Sequence, residues 1–444
     1  MAAPKNHSSR WFILIACSVA MLAVANLQYA WTLFTTDLTS SLHVRLDAVQ
    51  WTLTFFIIAQ TTLFPINAYF VDRFGPRVIV SLASLFVAAG WVGAGMAHSL
   101  PPLYVSYALG GIGVGAVYGG CIGVAMKWFP DRRGLCVGVV AGSYGFGTAL
   151  TALPIDHMIK SSGYRSAFIT FGIVQGMVVL LAAQFIKMPS PGWLPAGWEA
   201  IKAKVQRKVV QSICDCRPGE MLKSGSFYLL YLMMTLVTAS GLMLSAQLKP
   251  IAVSYGYDKF GLFAGFTVLT LTLSLNQVLN GSARPFFGWV SDRIGRYDTM
   301  AIVFVMEAVA IVALTLVVAR PFWFIVASAL MFFAWGDIYS LFPAAIADIF
   351  GSRHATTNYG IQYTAKGLGS VLAGPGAALL MSAAGSWIPV FWAAVACNVI
   401  AAGLAVLWLK PRVERMIKEQ TADALISNVP SATPQPIAQA TTAE

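Results

Sequence analysis

NQVLNGSARPFFGWVSDRIGR, residues 276–296, places an arginine inside a segment that is otherwise apolar enough to span a lipid bilayer. Eight residues after Arg284, Asp292 begins the compact charged turn SDRIGR. A guanidinium group at membrane depth costs roughly 2.5–3.5 kcal/mol on insertion scales, so Arg284 indicates a functional position. A second cation, Lys366, lies in another apolar segment, and we interpret much of the chain as scaffold around these two charges.

The composition predicts an all-α membrane protein. The 444 residues are 57% hydrophobic and only 11% charged, with a mean hydropathy of +0.70, whereas soluble domains carry about 25% charged residues. Apolar runs of 18 or more residues recur along the chain, and each predicts a bilayer-spanning helix. We number twelve predicted spans, 1 to 12, at about 11–35, 48–71, 78–97, 101–128, 135–159, 166–187, 226–250, 260–290, 299–319, 321–347, 355–383 and 387–409.

The net charge of +11 could indicate a nucleic-acid partner, but its distribution indicates membrane topology instead. With the N-terminus placed in the cytoplasm, 21 of the 29 Lys and Arg residues lie inside, 6 lie outside, and Arg284 and Lys366 lie within the membrane. Cytoplasmic loops of membrane proteins carry such an excess. The sequence therefore predicts a multi-pass protein of the bacterial inner membrane, with both termini cytoplasmic and no nucleic-acid partner.

The chain contains a duplicated half. Matches recur at a single offset of 220 residues and pair Pro65 with Pro285, Asp72 with Asp292, Arg73 with Arg293, Gly75 with Gly295, and Arg133 with Arg353. Parallel repeats of this kind are a known transporter architecture. We expect two six-helix pseudo-repeats, at 1–187 and 225–410, joined by a cytoplasmic linker at 188–224 and followed by a largely disordered cytoplasmic tail at 411–444.

The charged turns after spans 2 and 8 are candidate gates. Their aspartate can face a helix N-terminus, where negative charge is stabilised, and their glycine permits a tight turn. Their arginine can pair across the cytoplasmic face, and contacts that break and re-form suit a gate. The predicted gating residues are Asp72, Arg73, Asp292, Arg293 and Arg296.

Span 4 carries GGIGVGAVYGG at 110–120. A dinucleotide fingerprint would need a preceding strand in a βαβ unit, and none is predicted. Gly111, Gly115 and Gly119, four residues apart, instead predict a smooth face for close helix packing. Tyr118 beside that face, and Tyr144 among the glycines of span 5, are expected to face a cavity.

Two polar triplets sit in the second half. Each has i, i+4, i+8 spacing, which places its members on one helix face; the triplets are Asn276, Asn280 and Arg284 in span 8, and Asn358, Gln362 and Lys366 in span 11. At the 220 offset the first half has Phe64 and Phe146 in place of the two cations. A cationic second half is therefore expected to face an aromatic first half.

Two facing cations predict a clamp for a small dianion, because unpaired buried charges repel and an anion would join them. Arg offers a planar fork that matches a carboxylate, and Lys a point charge. The alternative is that each cation pairs with an acid of the protein, Asp337 of span 10 or Glu307 of span 9. Glu307 is expected to be structural or snorkelling. Gln28 and Tyr29 of span 1 fit either a cavity wall or an interfacial aromatic belt.

The charged turns resemble the loop signature G-x-x-x-D-R-x-G-R of the major facilitator superfamily, and longer stretches resemble its oxalate:formate antiporter family. Those stretches are QYAWTL in span 1, YFVDRFGPR, GVGAVYG, KWFPDRRGL, ARPFFGWVSDRIGRYDTM, FFAWGDIYSLFP and IFGSRHATTNYGIQYTAKG. The resemblance implies that Arg284 and Lys366 bind substrate carboxylates, in a pocket with Trp335, Tyr339, Tyr118 and Tyr144. It implies exchange of external oxalate for internal formate by alternating access, without ATP, without a cofactor and without a metal.

Two positions depart from the family pattern: Asp337, where glycine is expected, and Tyr363, where tryptophan is expected. A carboxylate there could tune the charge of the pocket or carry a proton. The runner-up is thus a proton-coupled symporter of a monocarboxylate such as lactate, using Asp337. A non-transporting anion sensor is the third hypothesis, and no nucleophile–base pair favours an enzyme. We expect a functional monomer in the bilayer, with small carboxylates as its partners.

Overall fold

A computed structural model describes residues 7–129, 133–190, 216–263, 266–351, 354–416 and 419. Within these ranges, the side chains of residues 7–9, 68, 72, 126, 133–134, 262–263, 266, 292 and 355–356 are outside the description. The predictions for most of the linker, 191–215, and for nearly all of the tail beyond residue 416 fall outside the described residues.

The first six spans are helical throughout. Span 1 comprises His7–Val24, the short helix Asn26–Tyr29 and the 3₁₀ turn Trp31–Leu33; the helix Thr35–Leu42 follows; span 2 comprises Leu46–Thr62 and Phe64–Phe74; span 3 is Pro76–Met96; span 4 is Leu100–Trp128; and spans 5 and 6 lie within Arg133–Ala183. That last helix is interrupted at Gly163, whose φ of 81° and ψ of 158° are not helical. Only glycine adopts such angles readily, so Gly163 separates spans 5 and 6.

The last six spans follow a short helix, Pro218–Met221. Span 7 is Gly225–Ser254; span 8 is Val268–Ile294; span 9 is Arg296–Val317; span 10 comprises Pro321–Trp335 and Ile338–Phe350; span 11 comprises Ala355–Tyr363, Ala365–Val371, the π-helical turn Leu372–Gly376 and Ala377–Ala384; and span 12 comprises Ile388–Leu404 and the π-helical turn Ala405–Leu409.

The predicted start of span 8 is wrong by several residues. The strands Gly261–Phe263 and Phe266–Thr267 form a small antiparallel hairpin where helix is predicted, and they are the only strands in the described ranges. The helix begins at Val268 because the Thr267 side chain caps it by accepting a hydrogen bond from the Thr270 backbone N–H. The protein is otherwise all-α.

Nine of the described helices are long and apolar enough to cross a membrane, and a tenth span results if Leu46–Thr62 and Phe64–Val71, bent by 44°, count as one. The break at Gly163 divides the 49-residue stretch Leu135–Ala183 into two spans. Span 8, with 27 residues, is the one predicted span that these criteria do not select. Its buried polar face makes it less apolar than the other spans. Together these helices account for the twelve predicted spans.

The duplicated turns have matching backbones. Gly75, between spans 2 and 3, has φ 83° and ψ 153°, and Gly295, between spans 8 and 9, has φ 101° and ψ 152°. Both glycines adopt positive φ, where a side chain would be strained. The same turn geometry at the 220-residue offset agrees with two pseudo-repeats.

The packing interpretation of the span 4 glycines is confirmed. A Cβ atom on Gly111 would lie 2.2 Å from the Phe56 carbonyl oxygen, and one on Gly115 would lie 2.6 Å from the Gln60 carbonyl oxygen. Spans 2 and 4 therefore touch backbone to backbone, as small residues permit in membrane helices. This approach fixes the position of Gln60 of span 2 in the site described below.

Candidate functional site

Arg284 of span 8 is buried at the centre of the protein, with 1% of its surface exposed. Its guanidinium group donates to the Ala141 carbonyl oxygen of span 5, to the Tyr29 hydroxyl of span 1 at 3.2 Å and to Asn280 Oδ1 at 3.1 Å. Spans 5 and 8 come close enough for this because glycines face each other: a Cβ on Gly145 would lie 2.7 Å from the Cα atom of Gly281. Two of the three partners belong to the first six spans.

Lys366 of span 11 is also buried, with 0% exposed, and it too reaches the first six spans. Its Nζ donates to Gln28 Oε1 at 2.8 Å, to Gln60 Oε1 at 3.0 Å and to the Tyr363 hydroxyl at 3.1 Å. The ammonium group has three protons, so its donor capacity is filled.

The Tyr339 ring contacts both cations. The Arg284 Cζ atom is 4.5 Å from the ring centroid, and the Lys366 Nζ atom is 5.5 Å from it. These two distances limit the separation of the charged groups to about 10 Å. Contacts of this length are cation–π interactions, which stabilise a cation where water is excluded. The structure thus brings together Arg284, Lys366 and Tyr339, as the sequence predicts.

The other predicted pocket residues form a continuous aromatic cluster around these charges. Tyr118 stacks on Tyr363, with 5.8 Å between ring centroids, and contacts Tyr144 edge-on at 5.6 Å. Tyr29 contacts Tyr144 at 5.4 Å and Trp335 at 6.4 Å. Gln28 and Tyr29 therefore line the site, and the interfacial-belt alternative for these two residues is wrong. The prediction that they are substrate-binding residues has still to be tested.

Gln60 is a site residue that the sequence analysis missed. Its Oε1 accepts from Lys366, and Gln28 Oε1 accepts from both Lys366 and the Tyr144 hydroxyl, the latter at 2.9 Å. The signal in the sequence was an amide within the apolar segment 48–71. The two amides hold Lys366 in place with neutral oxygen atoms.

Neither cation pairs with an acid in the described part of the chain. The ion pairs found there join other residues, and every hydrogen-bond acceptor of Arg284 and Lys366 is neutral. The alternative that Asp337 or Glu307 neutralises these cations is therefore wrong for this conformation. Both positive charges remain without a compensating negative charge.

The two acidic residues face elsewhere. Asp337 and Glu307 are each 0% exposed, and Glu307 Oε1 accepts from the Ser240 hydroxyl of span 7 at 2.9 Å. The snorkelling interpretation of Glu307 is wrong, because the side chain is directed into the protein. Among the described residues, no group of three or more His, Cys, Asp or Glu side chains is arranged to hold a metal ion.

Of the three predicted gating residues whose side chains the structure describes, Arg296 forms an ion pair with another span. Its Nε is 3.1 Å from Asp348 Oδ2 of span 10. Arg73 donates to the Tyr69 hydroxyl at 2.9 Å, and Arg293 lies 3.9 Å from the Trp289 ring centroid, each within its own helix. The side chains of Asp72 and Asp292 lie outside the described residues. A gating role for these five residues stays a prediction.

Polar contacts close the site on the side of the predicted outer loops. Gln50 of span 2 donates to Gln247 Oε1 and to the Ala246 carbonyl of span 7, both at 3.0 Å. Lys249 of span 7 bonds to the Leu33 carbonyl at 2.5 Å and to Asp37 at 2.6 Å. On the opposite side, the Phe64 ring packs edge-on against the Tyr359 ring, with 6.4 Å between the ring centroids. The conformation is therefore occluded.

Comparison with known proteins places this geometry in context. A sequence profile described as Major Facilitator Superfamily matches the chain twice, over residues 15–281 and 264–440. The chain is 37% identical over 413 residues to the "Oxalate:formate antiporter" of Oxalobacter formigenes, covering 93% of this chain and 94% of that protein. It is 24% identical to the "Uncharacterized MFS-type transporter YhjX" of Escherichia coli K12, over 83% and 88% of the two chains. It is 21% identical to the "Monocarboxylate transporter 12-B" of Danio rerio, over 88% and 84%.

Proposed function

We propose that this chain, which belongs to the major facilitator superfamily and within it to the oxalate:formate antiporter family, exchanges small carboxylate anions across a membrane, oxalate against formate. Membership makes the protein a multi-pass membrane transporter and not an enzyme. The observation that carries the proposal is the pair of buried cations, Arg284 and Lys366, whose acceptors in the described structure are all neutral.

A small dianion fits this arrangement by charge. One carboxylate can accept two parallel hydrogen bonds from the Arg284 guanidinium, and the other can accept from Lys366. To bind, the anion displaces neutral acceptors such as the amide oxygens of Gln28 and Gln60. The bonds to neutral oxygens are already charge-assisted by their cationic donors, and a carboxylate adds the attraction between opposite charges that those oxygens lack. The aromatic rings exclude water around the anion.

The two buried charges also give a physical reason for obligatory exchange, in which the carrier changes access only with an anion bound. When the two halves separate to change access, Arg284 loses the Tyr29 and Ala141 oxygens, and Lys366 loses the Gln28 and Gln60 oxygens. Water solvates the two cations once the site is open, and an empty carrier can close again only by burying both positive charges without a counter-charge, which is costly. With an anion bound, the charges stay compensated throughout. The loaded carrier therefore changes access, and the empty carrier does so slowly.

The relative in Oxalobacter formigenes favours exchange over proton-coupled symport of a monocarboxylate, as does the finding that neither cation pairs with an acid among the described residues. The test of substrate class is inhibition of labelled oxalate uptake into formate-loaded proteoliposomes. We expect unlabelled oxalate and formate to inhibit the uptake. Inhibition by lactate alone, together with acid-driven lactate uptake, would instead establish the symporter.

The topology and domain limits belong to this proposal. The excess of Lys and Arg on one side supports cytoplasmic termini in a bacterial inner membrane. The division into halves at 1–187 and 225–410, with the linker at 188–224 and the tail at 411–444, follows from the 220-residue repeat. A sensor that binds the anion without moving it would show binding without flux.

A further inference from the structure

A second buried polar cluster lies among the last six spans, apart from the aromatic-lined site. Glu307 of span 9 and Asp337 of span 10 each have 0% of their surface exposed, and the helices that carry them pack against each other. In the part of the chain that the structure describes, neither forms an ion pair with Lys, Arg or His. Two acidic groups thus share apolar surroundings without a compensating positive charge.

The hydrogen bonding of the cluster leaves acceptors without donors. The Ser240 hydroxyl donates to Glu307 Oε1 at 2.9 Å, and Asn398 Nδ2 of span 12 donates to the Ser240 oxygen at 2.7 Å. Within the described residues, Glu307 Oε2, Asn398 Oδ1 and both Asp337 carboxyl oxygens have no hydrogen-bond partner. Four buried oxygen atoms therefore lack a donor, and a proton on a carboxyl group would turn one of them from an acceptor into a donor.

No other charged group in the described residues forms an ion pair or hydrogen bond with Glu307 or Asp337. Span 7 contributes Ser240, and span 12 contributes Asn398 and the Cys397 thiol, which interacts with Glu307. Arg284 of span 8 is directed at Ala141, Tyr29 and Asn280 in the anion site, and Tyr339 of span 10 faces the cations. Two ionised carboxylates would repel strongly at low dielectric, whereas a protonated acid can donate to a carboxylate.

We propose that Glu307 and Asp337 form a proton-binding site, with at least one dissociable proton, separate from the anion site. The two sites are in mechanical contact. Trp335 precedes Asp337 by two residues and packs its indole on Gly241, next to Ser240; a Cβ on Gly241 would lie 2.1 Å from the indole ring. The proposal does not depend on which anion is carried, so it can fail while the proposed exchange stands.

The test is infrared difference spectroscopy of the purified full-length protein in lipid, titrated from acid to alkaline pH without sodium and without a carboxylate substrate. We expect a protonated-carboxyl C=O band that disappears at alkaline pH. Each of Glu307→Gln and Asp337→Asn, which keep the side-chain shape, should reduce or shift the band. Asp156→Asn, which removes an acid paired with Lys160 outside the cluster, should retain it.

A thermal unfolding curve for each variant shows that it is folded, and either folded variant suffices for the test. A band that is unchanged in intensity and position in both variants would overturn the proposal. So would a band that sodium removes at constant pH, because the four oxygen atoms would then bind a metal cation and not a proton.

Discussion

Lys366 and Gln28 lie 338 positions apart in the chain and are joined by a hydrogen bond of 2.8 Å. This bond joins the last six spans to the first six. Lys366 Nζ donates a second such bond to Gln60 Oε1, at 3.0 Å. These amide oxygens occupy the positions around Lys366 that a substrate carboxylate is proposed to take. The contact therefore links occlusion of the site to the charge that would recognise the anion.

We expect Gln28→Glu to weaken anion transport strongly. The new carboxylate would pair with Lys366 in place of the substrate, with almost no change in side-chain shape. Displacing it would add about 1.4 kcal/mol or more, so the KM for oxalate should rise at least about tenfold. Uptake rates at several oxalate concentrations measure this effect. Gln28→Leu is the control, since it removes the acceptor without adding a charge and should not raise the KM to the same extent.

Arg284→Gln and Lys366→Gln are each expected to reduce exchange at least about thirtyfold, because loss of one partner of a buried charged pair costs about 2–5 kcal/mol. Both variants should still insert and unfold cooperatively, since glutamine can keep hydrogen bonds to the neutral acceptors. Arg284→Lys keeps the charge and loses the fork, so it should fall between wild type and Arg284→Gln. Wild-type flux in either glutamine variant would refute the clamp.

The Tyr339 ring, and not its hydroxyl group, is expected to matter. The ring faces both cations, at 4.5 and 5.5 Å, and a desolvated cation–π contact is worth about 2 kcal/mol. Tyr339→Phe should keep most of the exchange rate, and Tyr339→Ala should lose most of it. Initial uptake rates at equal amounts of reconstituted protein make the comparison. Equal loss in both variants would mean that the hydroxyl group has the main role.

Gly241→Ala should displace the Trp335 indole, because the added Cβ would lie 2.1 Å from that ring. Overpacking of this kind costs typically about 1–3 kcal/mol, so we expect a lower unfolding temperature and a reduced exchange rate. The matched control is Gly403→Ala in span 12, where an added Cβ meets no atom within 4 Å. If the two variants have the same unfolding temperature and exchange rate, the Trp335 indole can move to accept the added methyl group at little cost.

The main features of the site could be predicted from the sequence because cations in apolar segments are rare and helical spacing places them on known faces. Arg284 and Asn280 are four residues apart, and the hydrogen bond between them at 3.1 Å follows directly. The partners from other spans could not be predicted. Gln60 and the Ala141 carbonyl reach the cations only because glycines let neighbouring backbones touch, and a single sequence does not say which faces meet.

The surroundings of the two buried acidic residues could not be predicted from the sequence either. Asp337 lies two residues from Trp335 and was expected near the cavity, yet no hydrogen bond or ion pair joins it to either cation. Two residues along a helix rotate the side chain by about 200°, so a neighbour of a cavity residue faces the opposite side. Glu307 is buried because Ser240 provides a donor inside the bundle, which the sequence of span 9 alone does not reveal.

The most direct test of the central claim is the initial rate of labelled oxalate uptake into proteoliposomes loaded with formate, divided by the rate into vesicles loaded with buffer alone. The buried cations predict a large ratio, because the empty carrier must bury two uncompensated charges to return. They also predict that the ratio collapses in Lys366→Gln. Equal uptake into loaded and empty vesicles, or no oxalate uptake in either, would contradict the exchange mechanism.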